Sequence, residues 1–212
     1  MPLGVIQTLT IDAASTTAVA AAQTLVGAGD MTLASATVTL PNGGQRPQLT
    51  STGNISGVTF TFYGTAVGNP TKTISYAMAG PNNNTVIAGV SFATITRVAA
   101  SAAVGTNTSA GYAAQAETPP FVVDVRMNPV NIGFGCFTPT VGSTYTVQVC
   151  FDDPYSATYD AATAIWFNHA VVASKTGSNM DSILYPVRMV RLYALTAGVT
   201  TMQLWQAVGL NG

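Results

Sequence analysis

Residues 145–151 read Tyr145-Thr146-Val147-Gln148-Val149-Cys150-Phe151. Tyr, Val, Val and Phe recur at every second position, with Thr, Gln and Cys between them. A period of two is the signature of a strand with one face on a core. The same alternation runs through Val58-Thr59-Phe60-Thr61-Phe62-Tyr63, Thr73-Ile74-Ser75-Tyr76-Ala77-Met78 and Phe92-Ala93-Thr94-Ile95-Thr96-Arg97-Val98. Thr takes the solvent face in these runs, where its β-branched side chain favours extended backbone.

Turn signals separate the runs at short intervals: Pro41-Asn42-Gly43-Gly44, Gly53-Asn54, Gly68-Asn69-Pro70, Gly80-Pro81-Asn82-Asn83-Asn84 and Thr196-Ala197-Gly198. Many short strands so spaced predict an all-β chain of sandwich or jelly-roll type. Two segments compete with that reading. Residues 13–25 set Ala18, Ala21, Ala22 and Leu25 on one helical face, but Thr16, Thr17 and Val19 are weak helix formers, so a short helix and an ordered loop both stay open. Residues 161–173 come after Asp160, a candidate N-cap for a helix. The loop-like stretch 105–111 and the stiff Thr118-Pro119-Pro120 predict a boundary. The chain accordingly divides into two β domains, 1–117 and 118–212, with residues 1–30 as a candidate arm.

The 212 residues include only 7 Lys or Arg and 8 Asp or Glu, 7% in all, for a formal net charge of −1. Ordinary domains carry about 25% charged residues. No basic stripe exists to neutralise phosphates, which argues against nucleic-acid binding. A hydrophobic content of 48% argues against disorder. A surface so poor in charge predicts extensive cover by other protein. The N-terminus lacks a basic and apolar signal, and the charge-free run 127–151 is broken by Asn128, Pro129, Asn131 and Pro139, so neither secretion nor a membrane span is expected.

Chemistry-bearing residues are few. Around a turn near 139–143, Cys136 would face position 145 and miss Cys150, so two free thiols are expected. Asp152, Asp153, Asp160 and Asp181 lack the spacing of a calcium loop, and Asp152-Asp153-Pro154 reads as a turn closing a strand. His169, beside Trp166 and Phe167, is the sole histidine; without a Gly-x-Ser-x-Gly elbow it reads as a packed core residue rather than a general base. The limited stock of Glu117, Lys72 and Lys175 adds no catalytic set. No catalytic residue, cofactor site or metal site is therefore expected. Arg126, Arg188 and Arg191 lie in the second half; Arg188 and Arg191 fall on opposite strand faces, one to pair with Asp124 or Asp181, the other to anchor a subunit contact. Trp166, Trp205, Tyr112, Tyr155 and Tyr159 are candidates for stacking on sugars, with core or interface packing favoured. Trp205 lies opposite the alternating Met202, Leu204, Gln206 and Val208 and so reads as an interface or between-domain residue. Asn-x-Ser/Thr matches at Asn54, Asn83 and Asn107 read as chance.

Residues 54–104, with the Gly64-Thr65 turn, the Gly68-Asn69-Pro70 loop, the Gly80-Pro81-Asn82 turn and the strand ending at Val98, resemble a strand pattern of tailed-bacteriophage structural proteins. The opening Ala20–Leu33 is similar, as are Tyr145–Pro154, Trp166-Phe167-Asn168-His169 and Tyr185–Leu192. Ala170 stands where the pattern usually has Pro. The resemblance implies a non-enzymatic virion protein, located in the particle after assembly in the host cytoplasm. The expected role is capsid decoration or cement, with the major capsid protein and further copies of this chain as partners, in closed symmetry such as a trimer. A tail or head–tail neck position and a carbohydrate-binding adsorption module are the alternatives. Neither nucleic acid, membrane nor small-molecule substrate is expected as a partner.

Overall fold

A computed structural model describes residues 3–126, 130–160 and 163–206. The described chain is all β, apart from one 3-10 turn at Pro41–Gly43. No helix among the described residues is long and apolar enough to cross a membrane. The chain divides into an inserted unit, Asp12–Ala116, and a split unit, Met1–Ile11 with Glu117–Gly212.

The inserted unit holds β2 (Ser15–Leu25), β3 (Gly29–Asp30), β4 (Val38–Thr39), β5 (Pro47–Ser51), β6 (Thr59–Ala66), β7 (Asn69–Ala79), β8 (Thr85–Ile87), β9 (Phe92–Ala100) and β10 (Val104–Tyr112). They form one sheet in the order β2-β10-β5-β8 and another in the order β3-β9-β6-β7, with β4 also on β9. Val19, Ala20, Leu49, Val104 and Ala110 of the first sheet meet Phe60, Phe62, Phe92, Ile95 and Val98 of the second in one core. The alternation of Phe60 and Phe62 with Thr59 and Thr61 is thus read by burial, as in a sandwich.

Two expectations change here. Residues 15–25 are strand β2, because the β-branched Thr16, Thr17 and Val19 suit extended backbone and β10 offers an edge to pair with. In β9 the buried residues Phe92, Ile95 and Val98 fall three apart, and the strict alternation is broken by a register shift opposite Tyr63 and Gly64. A Cβ on Gly64 would collide with the Thr94 carbonyl oxygen, and one on Gly111 with that of Ser15, so each site takes glycine by close approach.

The split unit holds β1 (Leu3–Ile11), β11 (Ala116–Glu117, crossing the boundary), β12 (Phe121–Val122), β13 (Ile132–Phe137), β14 (Tyr145–Cys150), β15 (Trp166–Asn168), β16 (Asn179–Ile183), β17 (Met189–Ala194) and β18 (Gly198–Gln206). Its sheets run β1-β18-β13-β16 and β11-β17-β14-β15, with β12 also on β17. Residues 3–11 therefore do not belong to an N-terminal domain 1–117: β1 pairs along its whole length with β18, from Leu3 opposite Gln206 to Ile11 opposite Gly198. β13 does not form a hairpin with β14 either. It lies between β18 and β16, and Cys136 and Cys150 sit in different sheets as buried free thiols. The candidate helix at 161–173 begins outside the described residues. Residues 163–164 close a single turn, their N–H groups donating to the Asp160 carbonyl, and the chain then enters strand β15.

A glutamine ties both chain passages in each unit. Gln7 donates to the Pro119 carbonyl at 2.8 Å and accepts from the Thr118 hydroxyl at 2.9 Å. Gln45, fully buried, donates to the carbonyls of Asp12 and Ala113 at 3.1 and 2.7 Å. An extended chain entering and leaving a domain exposes unpaired carbonyls, and a side-chain amide satisfies them.

Candidate assembly surface

The outer face of the β1-β18-β13-β16 sheet is set by register. Gly4, Trp205, Gly133 and Ser182 form one row across the strands; Ile6, Gln203, Gly135 and Met180 form the next; Thr8, Thr201 and Phe137 the third. None of these residues is charged. The intervening rows point inward, and Met202, Leu204, Ile132, Phe134 and Cys136 are buried there. Alternation that buries one set leaves the other to solvent: Ile6 is 68% exposed, Phe137 57%, Met180 84% and Trp205 56%.

Glycines shape this face. A Cβ on Gly4 would stand 3.1 Å from two ring atoms of the Trp205 indole, which lies over the β1 backbone because no side chain holds it off. Gly133 and Gly135 have open space above them, and Gly135 helps floor a trough of about 480 Å³ flanked by Phe137, Met180 and Gln203. An uncharged face with large apolar side chains around a trough is suited to burying against another surface. The exposure of Trp205 is legible in the alternation of 202–206. Ile6, Phe137 and Met180 are not singled out by sequence, although Ile132-Gly133-Phe134-Gly135-Cys136-Phe137 carries its own signal in the glycines at 133 and 135.

The other candidate residues are dispersed. His169 is buried, edge-on to Phe134 at 5.1 Å between ring centroids. Its Nδ1 lies 3.8 Å from an Asp181 carboxylate oxygen and has no hydrogen-bond partner. Asp152 accepts from the Ile165 N–H at 2.8 Å, and Asp153 from the Tyr155 N–H at 3.2 Å, which are loop-closing roles. No group of three or more His, Cys, Asp or Glu converges among the described residues. Burial pushes the Cys136 thiol up to about 12 and raises Cys150 as well.

The arginines divide differently from the expected pairing. Arg126 holds Asp124 by two guanidinium hydrogen bonds, at 2.9 and 2.8 Å, and one from its backbone N–H at 3.1 Å, and these bring that carboxyl down to about 2. Arg191 is buried over the Trp166 ring, 4.0 Å from its centroid. It donates to Gln148 at 2.9 Å and lies 3.9 Å from Glu117. Trp166 is thereby a packing residue of the sheet, and Tyr159 turns its hydroxyl towards Met189. Tyr112 packs against the core of the inserted unit.

No family of known proteins, no curated protein and no solved structure matches this chain.

Proposed function

We propose that the chain is a non-enzymatic structural protein of a tailed-bacteriophage particle, a decoration protein that binds the shell and neighbouring copies of itself through its uncharged sheet face. The observation that carries the reading is the Ile6, Phe137, Met180 and Trp205 face on a chain with so few charges. Magnitude supports a repeating role. Fully burying a large apolar side chain contributes about 1.5–3 kcal/mol. These four are already partly covered, so burying what remains is worth roughly 4–8 kcal/mol together. Association itself costs about 4–15 kcal/mol. One such face binds weakly alone, and many copies engaged at once on a lattice bind well. Thr and Ala surfaces add close packing at low side-chain entropy cost.

Electron microscopy of the particle, counting copies of this chain, tests the proposal. Hundreds of copies over the shell are expected; six or twelve at one vertex would move the protein to the neck or tail. With purified chain and isolated shells, a Trp205→Lys, Met180→Lys double variant is expected to keep its fold and lose binding. Unchanged binding would refute the assignment of this face.

A further inference from the structure

The split unit has a second exposed cluster on different residues. Phe151, just past β14, is about half exposed, as are Phe167 and Tyr185. The Phe151 and Tyr185 rings lie 6.3 Å apart with planes 27° from parallel, and Phe167 meets Phe151 edge-on at 5.7 Å. Phe151, Val125 and Arg188 line a groove of about 260 Å³. Val125 and Arg188 also line an adjoining groove of about 330 Å³ that holds Asp124, Arg126, Asp153 and Tyr155. Ligand pockets are typically about 300–1,000 Å³, so the pair has room for a small ligand.

The groove walls are fixed by backbone. The Gln206 side chain takes both the N–H and the carbonyl of Asp124, at 3.0 and 2.6 Å. Val123 N–H donates to the Arg188 carbonyl, and Arg188 N–H to that of Cys150, both at 2.9 Å. The polar side chains are unevenly engaged. Asp124 is occupied by Arg126. Asp153 uses one carboxylate oxygen on the Tyr155 N–H. Arg188 is half-buried, and its guanidinium has no hydrogen bond or ion pair among the described residues, that with Asp153 included.

This set selects a ligand chemistry. Two Asp and two Arg cancel in formal charge, so an anion gains at Arg188 what it loses near Asp153. An apolar peptide would cover Arg188 and Asp153 without pairing either, which costs free energy. A sugar meets all three demands. Its hydroxyls accept from the guanidinium and donate to the free carboxylate oxygen, and its C–H faces pack on the rings of Phe151, Tyr155 or Tyr185. We propose that this groove binds the end of a neutral hexopyranose glycan. The proposal is independent of the assembly face, which uses other residues.

The test is binding of the full-length chain to an array of neutral oligosaccharides from bacterial surface polysaccharides, followed by saturation-transfer NMR on the bound ones. Arg188→Gln and Asp153→Asn are each expected to weaken binding about tenfold or more, since a hydrogen bond to a charged group is worth about 1.5–3 kcal/mol. Tyr155→Ala, which removes a ring from the wall, should weaken it by a similar factor through lost apolar burial. Their thermal midpoints should match wild type, which separates loss of binding from loss of fold. Trp205→Lys should bind as wild type does. The proposal is overturned if no neutral oligosaccharide binds at millimolar concentration, if only acidic ones bind, or if all three variants bind normally. Site-specific crosslinking from position 155 to a protein subunit of the particle, with no glycan bound, would overturn it in favour of a protein contact.

Discussion

Replacing Arg191 by Met should destabilise the split unit by several kcal/mol. Arg191 is 8% exposed and meets the Trp166 ring, the Gln148 side chain and, at 3.9 Å, Glu117. A cation–π contact contributes about 0.5–2 kcal/mol, and a hydrogen bond from a charged donor about 1.5–3 kcal/mol. Met fills much of the space of the arginine stem, so little is lost in packing. The contact to Glu117 is long, and its loss adds about 1 kcal/mol. Taken together, the single variant should lose about 3–5 kcal/mol. For a domain of about 100 residues this lowers the thermal midpoint by roughly 12 °C or more. Adding Glu117→Gln removes the charge on the other side of that contact. Because the pair is long, the double variant should recover only about 1 kcal/mol relative to the sum of the singles. Tryptophan fluorescence during urea unfolding reads this directly, since Trp166 and Trp205 both lie in the split unit. A loss below about 1 kcal/mol for Arg191→Met would show that the network does not hold this sheet. Strict additivity with Glu117→Gln would show that the two charges do not interact.

Three further outcomes are expected. Gly64→Val and Gly111→Val should each yield little folded protein, because the new side chain strikes a carbonyl oxygen of the neighbouring strand; soluble expression and circular dichroism check this. Both thiols should resist alkylation at pH 8 in the native chain and react at once in denaturant, because burial holds Cys136 up to about 12 and raises Cys150; rapid native labelling at Cys136 would contradict its placement. Asp124 is depressed to about 2 when folded, so its contribution is complete above the ordinary carboxylate range and is lost as pH falls from about 4 towards 2. Asp124→Asn should remove that segment of the stability profile, and an unchanged profile would disprove the pairing with Arg126.

The sequence makes the face of each strand legible, but not its partner. Phe60 and Phe62, or Met202 and Leu204 against Trp205, declare in and out through a period of two. The same period says nothing about which strand lies alongside. β1 pairs with β18 across almost the entire chain, and no local signal marks that choice. The alternation in β14 reads as half-exposed, yet all six of its residues are buried. Its Thr146 and Gln148 face a second cover, Gln148 being held by Arg191 and Asn168, and polar residues in a strand do not reveal whether water or protein will satisfy them. β2 is obscured by its alanines, whose helix preference is weak against a strand partner such as β10. On the exposed face of this sheet the tryptophan is visible in sequence and its frame is not, because Ile6, Phe137 and Met180 come together only through the β1–β18–β13–β16 order.

That order also predicts how the split unit behaves without its insert. Gln7 is bonded to Thr118 and Pro119, so β1 is held beside the returning chain by the split unit's own side chains. From Gln7 to Ile11 an extended strand covers about 13 Å, and from Pro119 back to Glu117 about 7 Å. Roughly twelve Gly or Ser residues, at about 3.3–3.6 Å each when extended, span both stretches and the width bridged by the Gln7 side chain with slack. A chain in which this linker replaces 12–116 should fold, with β1 on β18 and the Trp205 indole over Gly4 as before. Its folding should be faster than that of the full chain, because the β1–β18 pairing now closes a much shorter loop. Native-like tryptophan emission and amide protection along residues 3–11 would support the argument. Failure of β1 to pair, with the rest of the unit folded, would mean that the insert, and not Gln7, brings the first strand to its place.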